Sequence, residues 1–232
     1  LLVNTKNANT FTGKQGKGEV YLASPATAVA SAIAGHITPA TDIPDSPTLF
    51  VQLEKGEKRQ EVEFQEPVSK PTQIKGRVWV VKEDNIDTDM IYHNRHLTVI
   101  NVDEMGQYAF GNLQGWQDFP PKTKPGDIVV ICGENFGCGS SRQHAVDCFK
   151  ALGVSMIIAK SFGTIYERNA INSGFPLMPA VDIEKLDLKN GDEIEVDILS
   201  GNTKNLSTKG SIKTTPFSKV QLDIYQRGGL LE

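Results

Sequence analysis

Gly137-Cys138-Gly139-Ser140-Ser141-Arg142 is the stretch that decides the fold, because it joins an apolar strand to a helix. An apolar run at residues 127–132 and a short loop precede it. A run with apolar residues at helical spacing, residues 141–152, follows it. A turn of small residues in this position aims backbone N–H groups at one point, beside the positive end of the helix dipole. The order of elements predicts an α/β unit that carries an anion-binding turn.

The side chains of this turn suit chemistry on an anion. Arg142 offers a planar guanidinium that matches a carboxylate or phosphate, and Ser140 and Ser141 place hydroxyl groups beside it. The alternative is structural, since serine is a favoured helix N-cap and an arginine near a surface helix is common. The helix terminus and Arg142 are expected to lower the thiol pKa of Cys138, although a cysteine that merely fits a tight turn is favoured. The spacing alone leaves both interpretations open.

A second polar cluster, Asp84-Asn-Ile-Asp-Thr-Asp89, follows the strand predicted at residues 76–81. Clustered carboxylates accept protons, orient an arginine or bind a cation, but Asp and Asn are also common in turns. Taken by itself, this cluster favours a turn. His93 and His96 lack a third and a fourth ligand nearby in the sequence, so no metal site is predicted.

Composition and charge exclude several classes of function. The chain has 232 residues, 39% of them hydrophobic, and a formal net charge of −4. An acidic balance without a basic stripe argues against nucleic-acid binding, and no apolar run approaches the ~20 residues of a membrane helix. Cys132, Cys138 and Cys148 form no CxxC pair. We therefore expect a reducing compartment, which is the cytoplasm or, in a eukaryote, the mitochondrial matrix.

The chain divides into three zones. Residues 1–40 predict a short strand at 19–23 and a helix at 25–34, with Ser24 as its N-cap and Gly35 as its C-cap. Residues 41–72 carry several prolines and many charges and predict a linker. Residues 73–232 predict a compact α/β unit with strands at 76–81, 127–132, 154–159, 193–199 and 210–214 and helices at 141–152, 162–173 and 216–226.

Four motifs occur in order: Asn85-Ile-Asp-Thr-Asp89, Gly133-Glu-Asn-Phe-Gly-Cys-Gly-Ser-Ser-Arg142, Tyr166-Glu-Arg-Asn-Ala-Ile-Asn172 and Gly228-Gly-Leu230. Together they resemble the small subunit, or swivelling domain, of the aconitase superfamily, and the isopropylmalate dehydratase and homoaconitase small subunits are the most similar. The resemblance covers residues 73–232 and implies a three-layer β/β/α fold with a mixed sheet. Phe11-Thr-Gly-Lys-Gln-Gly16 resembles the tail of the family's large subunit. Residues 1–40 would then be that tail, and residues 41–72 would join the two parts of a fused chain.

The resemblance implies a hydro-lyase that moves a hydroxyl between neighbouring carbons of a hydroxy acid through an alkene. A 4Fe–4S cluster in the large-subunit portion would act as a Lewis acid on the departing hydroxyl, and no cluster ligand is assigned in this chain. By the same resemblance, Ser140 is the general base, Ser141 and Arg142 hold the substrate, and Asp89 belongs to the same site. Lys14 is a further substrate contact at a position where relatives often carry arginine.

The implied substrate is 3-isopropylmalate or a similar alkylmalate, as in leucine biosynthesis. Thr98 and Val99 suit a branched apolar group better than a third carboxylate. A fused chain is more usual among aconitases, so citrate and homocitrate remain alternatives. The implied partners are this acid and the cluster-binding large-subunit-like domains, with neither nucleic acid nor membrane.

Two alternatives come from other classes. A cluster-free RNA-binding regulator is disfavoured by the acidic charge. A non-catalytic subunit is supported by the altered tail at residues 8–14 and disfavoured by the intact Ser140-Ser141-Arg142.

Overall fold

The computed structural model describes residues 2–4, 20–46 and 70–231. The chain forms two units, Leu1–Phe64 and Gln65–Glu232. In the first unit, strands β1 (Leu2–Asn4) and β2 (Val20–Leu22) pair in parallel and helix α1 (Pro25–Ala34) follows. Ser24 caps α1 by accepting a hydrogen bond from the Thr27 N–H, and Gly35 ends it with φ 75°. This helix and the strand predicted before it are confirmed. Lys14 and most of the predicted linker lie outside the described residues.

The second unit is built on a seven-stranded sheet in the order β6-β5-β4-β3-β7-β8-β9. Strands β3 to β6 are parallel, and β7 to β9 continue from β3 in antiparallel pairing. The strands are β3 (Gln73–Val81), β4 (Ile128–Ile131), β5 (Met156–Ala159), β6 (Leu177–Pro179), β7 (Glu193–Asp197), β8 (Asn202–Asn205) and β9 (Ser211–Lys213).

Helices and short 3₁₀ turns connect these strands. The helices are α2 (Thr88–Ile91), α3 (Val102–Met105), α4 (Phe119–Lys122), α5 (His144–Ala151), α6 (Thr164–Asn172) and α7 (Lys219–Arg227). The 3₁₀ turns are Asn94–His96, Gly106–Tyr108 and Ile183–Leu186. A mixed sheet with these helices confirms the predicted α/β class.

The parallel strands bury apolar side chains on both faces, so β4 and β5 read as continuous apolar runs. On one face, Val129 and Ile131 of β4 belong to a core with Phe149 of α5 and Tyr166 of α6. On the other face, Ile128 and Val130 belong to a core with Ile183, Ile194, Val196 and Tyr225. The sheet is therefore fixed between α5 and α6 on one side and a 3₁₀ turn and α7 on the other.

A buried carboxylate holds the beginning of β4. The Asp127 side chain is 5% exposed. Its Oδ2 accepts hydrogen bonds from Trp79 Nε1 (2.8 Å) and the Lys124 N–H (2.9 Å), and its Oδ1 accepts one from Arg77 Nε (3.1 Å). Burial by itself raises the pKa of Asp127, but the hydrogen bonds from Arg77, Lys124 and Trp79 together lower that pKa below its ordinary value. Asp127 thus joins β3 to β4 as a satisfied anion.

We expect Asp127→Asn to lower the free energy of unfolding by about 2–3 kcal/mol, because the Arg77 guanidinium and the Trp79 indole lose a charged acceptor. Urea denaturation of the chain at neutral pH measures the loss. Glu193→Gln is the matched control, since the Lys75–Glu193 pair is 56% and 57% exposed. That control should change the free energy of unfolding by less than about 1 kcal/mol. Equal losses in the two variants would contradict this assignment.

The pH dependence of the unfolding free energy provides a second check on the role of Asp127. The folded pKa of Asp127 is lowered, so its contribution to stability is fully present above the unfolded pKa of about 4 and disappears as pH falls through the folded value. The difference in unfolding free energy between wild type and Asp127→Asn should be constant near neutral pH and shrink in acid. A difference that grows on acidification would be inconsistent with a stabilising carboxylate.

Candidate functional site

The candidate site lies at the carboxyl ends of three neighbouring parallel strands. Residues 82–91 follow β3, residues 132–142 follow β4 and residues 160–163 follow β5. Ligands of open α/β sheets bind at this edge. The three loops are brought together because β3, β4 and β5 are adjacent in the sheet.

Backbone hydrogen bonds connect the loop after β3 to the loop after β4. They run from the N–H groups of Asn85, Gly137 and Thr88 to the carbonyls of Glu134 (2.8 Å), Ile86 (2.7 Å) and Cys138 (2.9 Å), respectively. The two loops therefore pair beyond the ends of their strands. We call these three hydrogen bonds the loop zipper.

Glycine is required where the loops meet α6. Gly137 has φ 76°, and a Cβ on it would lie 2.3 Å from the ring of the buried Tyr166. A Cβ on Gly163, in the loop after β5, would lie 2.8 Å from the Gly137 carbonyl oxygen. Gly139 also has a positive φ of 95°, but the atom nearest to its Cβ position is Thr88 Oγ1 at 3.6 Å. The close packing is thus confined to the first half of the turn.

Arg142 and Asp89 form the charged centre of the site. Arg142 Nη1 donates to Asp89 Oδ1 (2.6 Å) and to the Tyr92 carbonyl (3.2 Å). The carboxylate of Asp89 also accepts hydrogen bonds from the Asn94 N–H (3.0 Å) and from Asn112 Nδ2 (3.2 Å). Burial by itself raises the pKa of Asp89, but the hydrogen bonds from Arg142 and Asn94 outweigh it and lower that pKa. Asp89 is therefore ionised at neutral pH and faces protein donors on both oxygens.

Asp89 and the Tyr92 carbonyl both contact the same nitrogen of the Arg142 guanidinium, Nη1. Within the described ranges, no residue accepts a hydrogen bond from Nε or Nη2 of Arg142. These two groups form the side-on fork that binds a carboxylate through two parallel hydrogen bonds. Asp89 fixes the orientation of this fork by accepting a hydrogen bond from Nη1. Asp89 is itself held in place by the Asn94 N–H and the Asn112 side chain.

Ser140 and Ser141 are exposed next to Arg142 in the chain. Ser140 Oγ lies 3.4 Å from Thr88 Oγ1, and Ser141 Oγ accepts a hydrogen bond from Asn169 Nδ2 (3.4 Å). In the part of the chain that the structure describes, the backbone N–H groups of Gly139, Ser140 and Ser141 have no acceptor. The turn thus combines hydroxyl groups, unpaired backbone donors and a cation.

The predicted start of the helix at residue 141 is wrong. Helix α5 begins at His144, and Gln143 is its N-cap without a side-chain capping bond. The first N–H groups of α5 donate to the carbonyls of Arg142 and Gln143. Neither serine caps the helix, because the N-cap position is Gln143. The structural alternative for the two serines is thereby removed, and the helix dipole is farther from Ser140 than expected.

The expected lowering of the Cys138 pKa is also wrong. Burial raises the pKa of this thiol, and the Asp87 carboxylate raises it further. Cys138 is therefore a neutral thiol at physiological pH, and its Sγ donates to the Asn85 carbonyl (3.5 Å). This agrees with its favoured interpretation as a small residue in a tight turn.

Three contacts of the site were missed by sequence reasoning. Thr88 and Asn169 lie inside motifs that carry the family resemblance, and their proximity to the serines was the missing information. Asn112 reaches Asp89 through a turn in which the buried Phe110 has φ 55°, and no sequence pattern marks that conformation.

The described residues do not fit an iron–sulfur cluster. Such clusters are held by several cysteine thiolates. In residues 2–4, 20–46 and 70–231, no group of three or more His, Cys, Asp or Glu side chains is placed to hold a metal ion. Cys148 is fully buried in the core, and burial raises its pKa.

No helix within residues 2–4, 20–46 and 70–231 combines the length and apolar character of a membrane span.

Comparison with known proteins identifies the family. A family model described as the aconitase C-terminal domain matches residues 72–180. The isopropylmalate/citramalate isomerase small subunit of Methanocaldococcus jannaschii is 43% identical over 158 residues, which make up 68% of this chain and 91% of that protein. The chain belongs to the aconitase superfamily.

Other relatives within the aconitase superfamily agree. The homoaconitase small subunit of Methanothermobacter thermautotrophicus is 41% identical, over 68% of this chain and 88% of that protein. The crystal structure of 3-isopropylmalate dehydratase from M. jannaschii matches with a TM-score of 0.63 and 34% identity, over 68% of this chain and 91% of that chain. The predicted family and its small-subunit branch are confirmed, and so is the fold.

The two glycines of the aconitase-family turn predict different costs of substitution. Gly137→Ala should lower the free energy of unfolding by about 3 kcal/mol or more, because it adds an overlap with Tyr166 to a strained φ. Gly139→Ala, with the same kind of strain and no overlap, should lower it by about 1–2 kcal/mol. Urea denaturation of both variants measures the difference. If Gly139→Ala were as damaging as Gly137→Ala, the contact with Tyr166 would not be what requires glycine at Gly137.

Proposed function

We propose that this chain provides the swivelling, small-subunit part of an iron–sulfur hydro-lyase. The enzyme would isomerise a hydroxy di- or tricarboxylic acid by removing water to form an alkene and adding it back. One observation carries the proposal: Arg142 is oriented by Asp89 and keeps a carboxylate-binding edge, next to the exposed Ser140. The names of the relatives, which are small subunits of isomerases, dehydratases and a homoaconitase, support the same reaction class.

In this reaction Arg142 binds a carboxylate of the substrate, and Ser141 assists. Ser140, as an alkoxide, accepts the proton from the carbon next to that carboxylate. The electron pair of the broken C–H bond forms the alkene, and the hydroxyl leaves the neighbouring carbon as hydroxide with the electron pair of the broken C–O bond. A serine is a weak base in water, and here the Arg142 cation and the unpaired N–H groups of the turn stabilise its ionised form. Hydration reverses the transfer.

We place the 4Fe–4S cluster in the large-subunit portion, since the described residues of this chain do not supply its ligands. When bound, it would supply Lewis acidity. Residues 73–232 would supply the base and the carboxylate site, and alone they would be inactive. We assign residues 1–40 to the tail of the large-subunit portion, with Lys14 as a substrate contact, and residues 41–72 to the linker. The resemblance of residues 11–16 to that tail supports this assignment.

The proposed substrate is 3-isopropylmalate or a similar alkylmalate. Thr98 and Val99 carry no charge, and the neighbouring Ile100 is 78% exposed, which suits a branched apolar group better than a third carboxylate. Relatives are named for isopropylmalate, citramalate and homoaconitase activity, so homocitrate and citrate are the alternatives. We place the enzyme in a reducing compartment, the cytoplasm or, in a eukaryote, the mitochondrial matrix, because the three cysteines of this chain are free thiols.

The direct test uses the full-length enzyme with its cluster-bearing portion, reconstituted anaerobically with iron and sulfide. Initial rates with 3-isopropylmalate, citramalate, citrate and homocitrate give kcat/KM for each acid. We expect the highest value for an alkylmalate. A preference for citrate or homocitrate would correct the substrate, and inactivity with all four acids would refute the enzymatic proposal.

We expect Ser140→Ala to lower kcat by about 10²–10⁴-fold with little change in KM, because the proton acceptor is lost and the carboxylate site is kept. Steady-state kinetics of the reconstituted enzyme measure both constants. Ser207→Ala, at an exposed serine in the connection between β8 and β9, is the matched control and should retain wild-type kinetics. Near-normal kcat in Ser140→Ala would exclude Ser140 as the base.

A further inference from the structure

A buried hydroxyl faces Ser140 from the loop after β3. Thr88, the first residue of α2, is 2% exposed. Its Oγ1 lies 3.4 Å from Ser140 Oγ. The Thr88 N–H donates to the Cys138 carbonyl (2.9 Å), and the Thr88 carbonyl accepts from the Tyr92 N–H (3.0 Å). The backbone of Thr88 is therefore fixed on both sides, and its β-branched side chain has little rotameric freedom.

The Thr88 hydroxyl is committed to this contact. Among the residues that the structure describes, Ser140 is the only one that shares a hydrogen bond with Thr88 Oγ1. Thr88 is only 2% exposed, and a buried hydroxyl without a partner is costly. The distance allows either hydroxyl to be the donor in this contact.

We propose that Thr88 is a positioning residue that orients Ser140 and donates a hydrogen bond to its alkoxide. This inference rests on the proposed function, in which Ser140 accepts a proton from carbon. A neutral serine can donate or accept, but an alkoxide only accepts, so Thr88 must then be the donor. Hydrogen bonds to charged groups are stronger than those between neutral groups. The contact consequently favours the ionised form of Ser140 and lets it form at lower pH.

If Thr88 only stabilised the fold, its replacement would lower stability without a specific effect on catalysis. Another buried threonine pair in the chain serves as a matched control for the loss of stability. Thr203 in β8 is fully buried, and its Oγ1 lies 3.4 Å from Thr214 Oγ1. This pair has the same distance as Thr88 and Ser140, but it belongs to the antiparallel part of the sheet. Thr203→Val therefore reports the effect of losing a buried hydroxyl pair without touching the site.

The test compares Thr88→Val, Thr88→Ser and Thr203→Val in the full-length enzyme with its cluster. We expect Thr88→Val to lower kcat by about 10- to 100-fold, which is the loss of one hydrogen bond to a charged group. KM should stay within about threefold, because Arg142 and Ser141 still bind the substrate. The acidic limb of the kcat–pH profile should move to higher pH. Thr88→Ser and Thr203→Val should keep kcat close to that of wild type.

Several outcomes would overturn the inference. Wild-type kcat in Thr88→Val would show that the contact does not assist Ser140. An equal loss in Thr88→Ser would assign the effect to the methyl group and its packing. A lower kcat with an unmoved pH profile would exclude stabilisation of the alkoxide. If Thr88→Val does not fold, Thr88→Ala removes the same hydroxyl and is held to the same expectations. A wild-type enzyme inactive with all four acids would refute the proposed function and this inference with it, whereas an active one isolates the role of Thr88.

Discussion

The site depends on the loop zipper between the connections that leave β3 and β4. Asp89 and Arg142 are 53 positions apart in the chain, yet they form a hydrogen bond of 2.6 Å. Parallel neighbours in the sheet bring their carboxyl ends together, and the hydrogen bonds from Asn85, Gly137 and Thr88 continue the pairing into the loops. Without this pairing, Asp89 and Arg142 would lie on two independent loops. The price of close approach is a glycine at Gly137, where no side chain fits beside Tyr166.

The loop zipper also determines the surroundings of the two charged side chains, Asp89 and Arg142. Asp89 and Arg142 are partly buried, with side chains 32% and 17% exposed, so each loses some contact with water. Their direct hydrogen bond and the donors on Asp89 offset that loss. In the proposed reaction, an arginine held in advance would lose little conformational freedom when a carboxylate arrives, which would favour binding and correct orientation of the reacting carbon. The same loops place the Thr88 hydroxyl against Ser140.

The sequence was sufficient to predict the helices and strands that depend mainly on residues close together in the chain. The cap residues Ser24 and Gly35 mark α1, and four consecutive apolar residues mark each of β4 and β5. Strand β8 (Asn202–Asn205) was missed because its inward residues are polar: Thr203 and Asn205 are fully buried and hydrogen-bonded. Strand β6 was missed because it has three residues and ends in proline.

The features missed at the site depend on contacts between distant segments. The predicted helix began at Ser141 because serine is a good N-cap, but the helix begins at His144 and a bend precedes it at residues 139–140. The segment at residues 88–122 carries no strong periodicity, and it is fixed by buried rings such as Tyr92 and Phe110. Motif resemblance predicted that Ser140, Arg142 and Asp89 belong to one site, whereas the spacing of residues could not show that Asp89 and Arg142 meet.

The most decisive measurement is a double-mutant cycle on the Asp89–Arg142 pair, read as substrate KM in the full-length enzyme with its cluster. If Asp89 acts by orienting the guanidinium, Asp89→Asn and Arg142→Lys will each raise KM, and the double variant will be no worse than Arg142→Lys alone. The coupling energy should then fall at about 1–3 kcal/mol. Strictly additive effects would mean that the two residues act independently, and would contradict a substrate site organised by this pair.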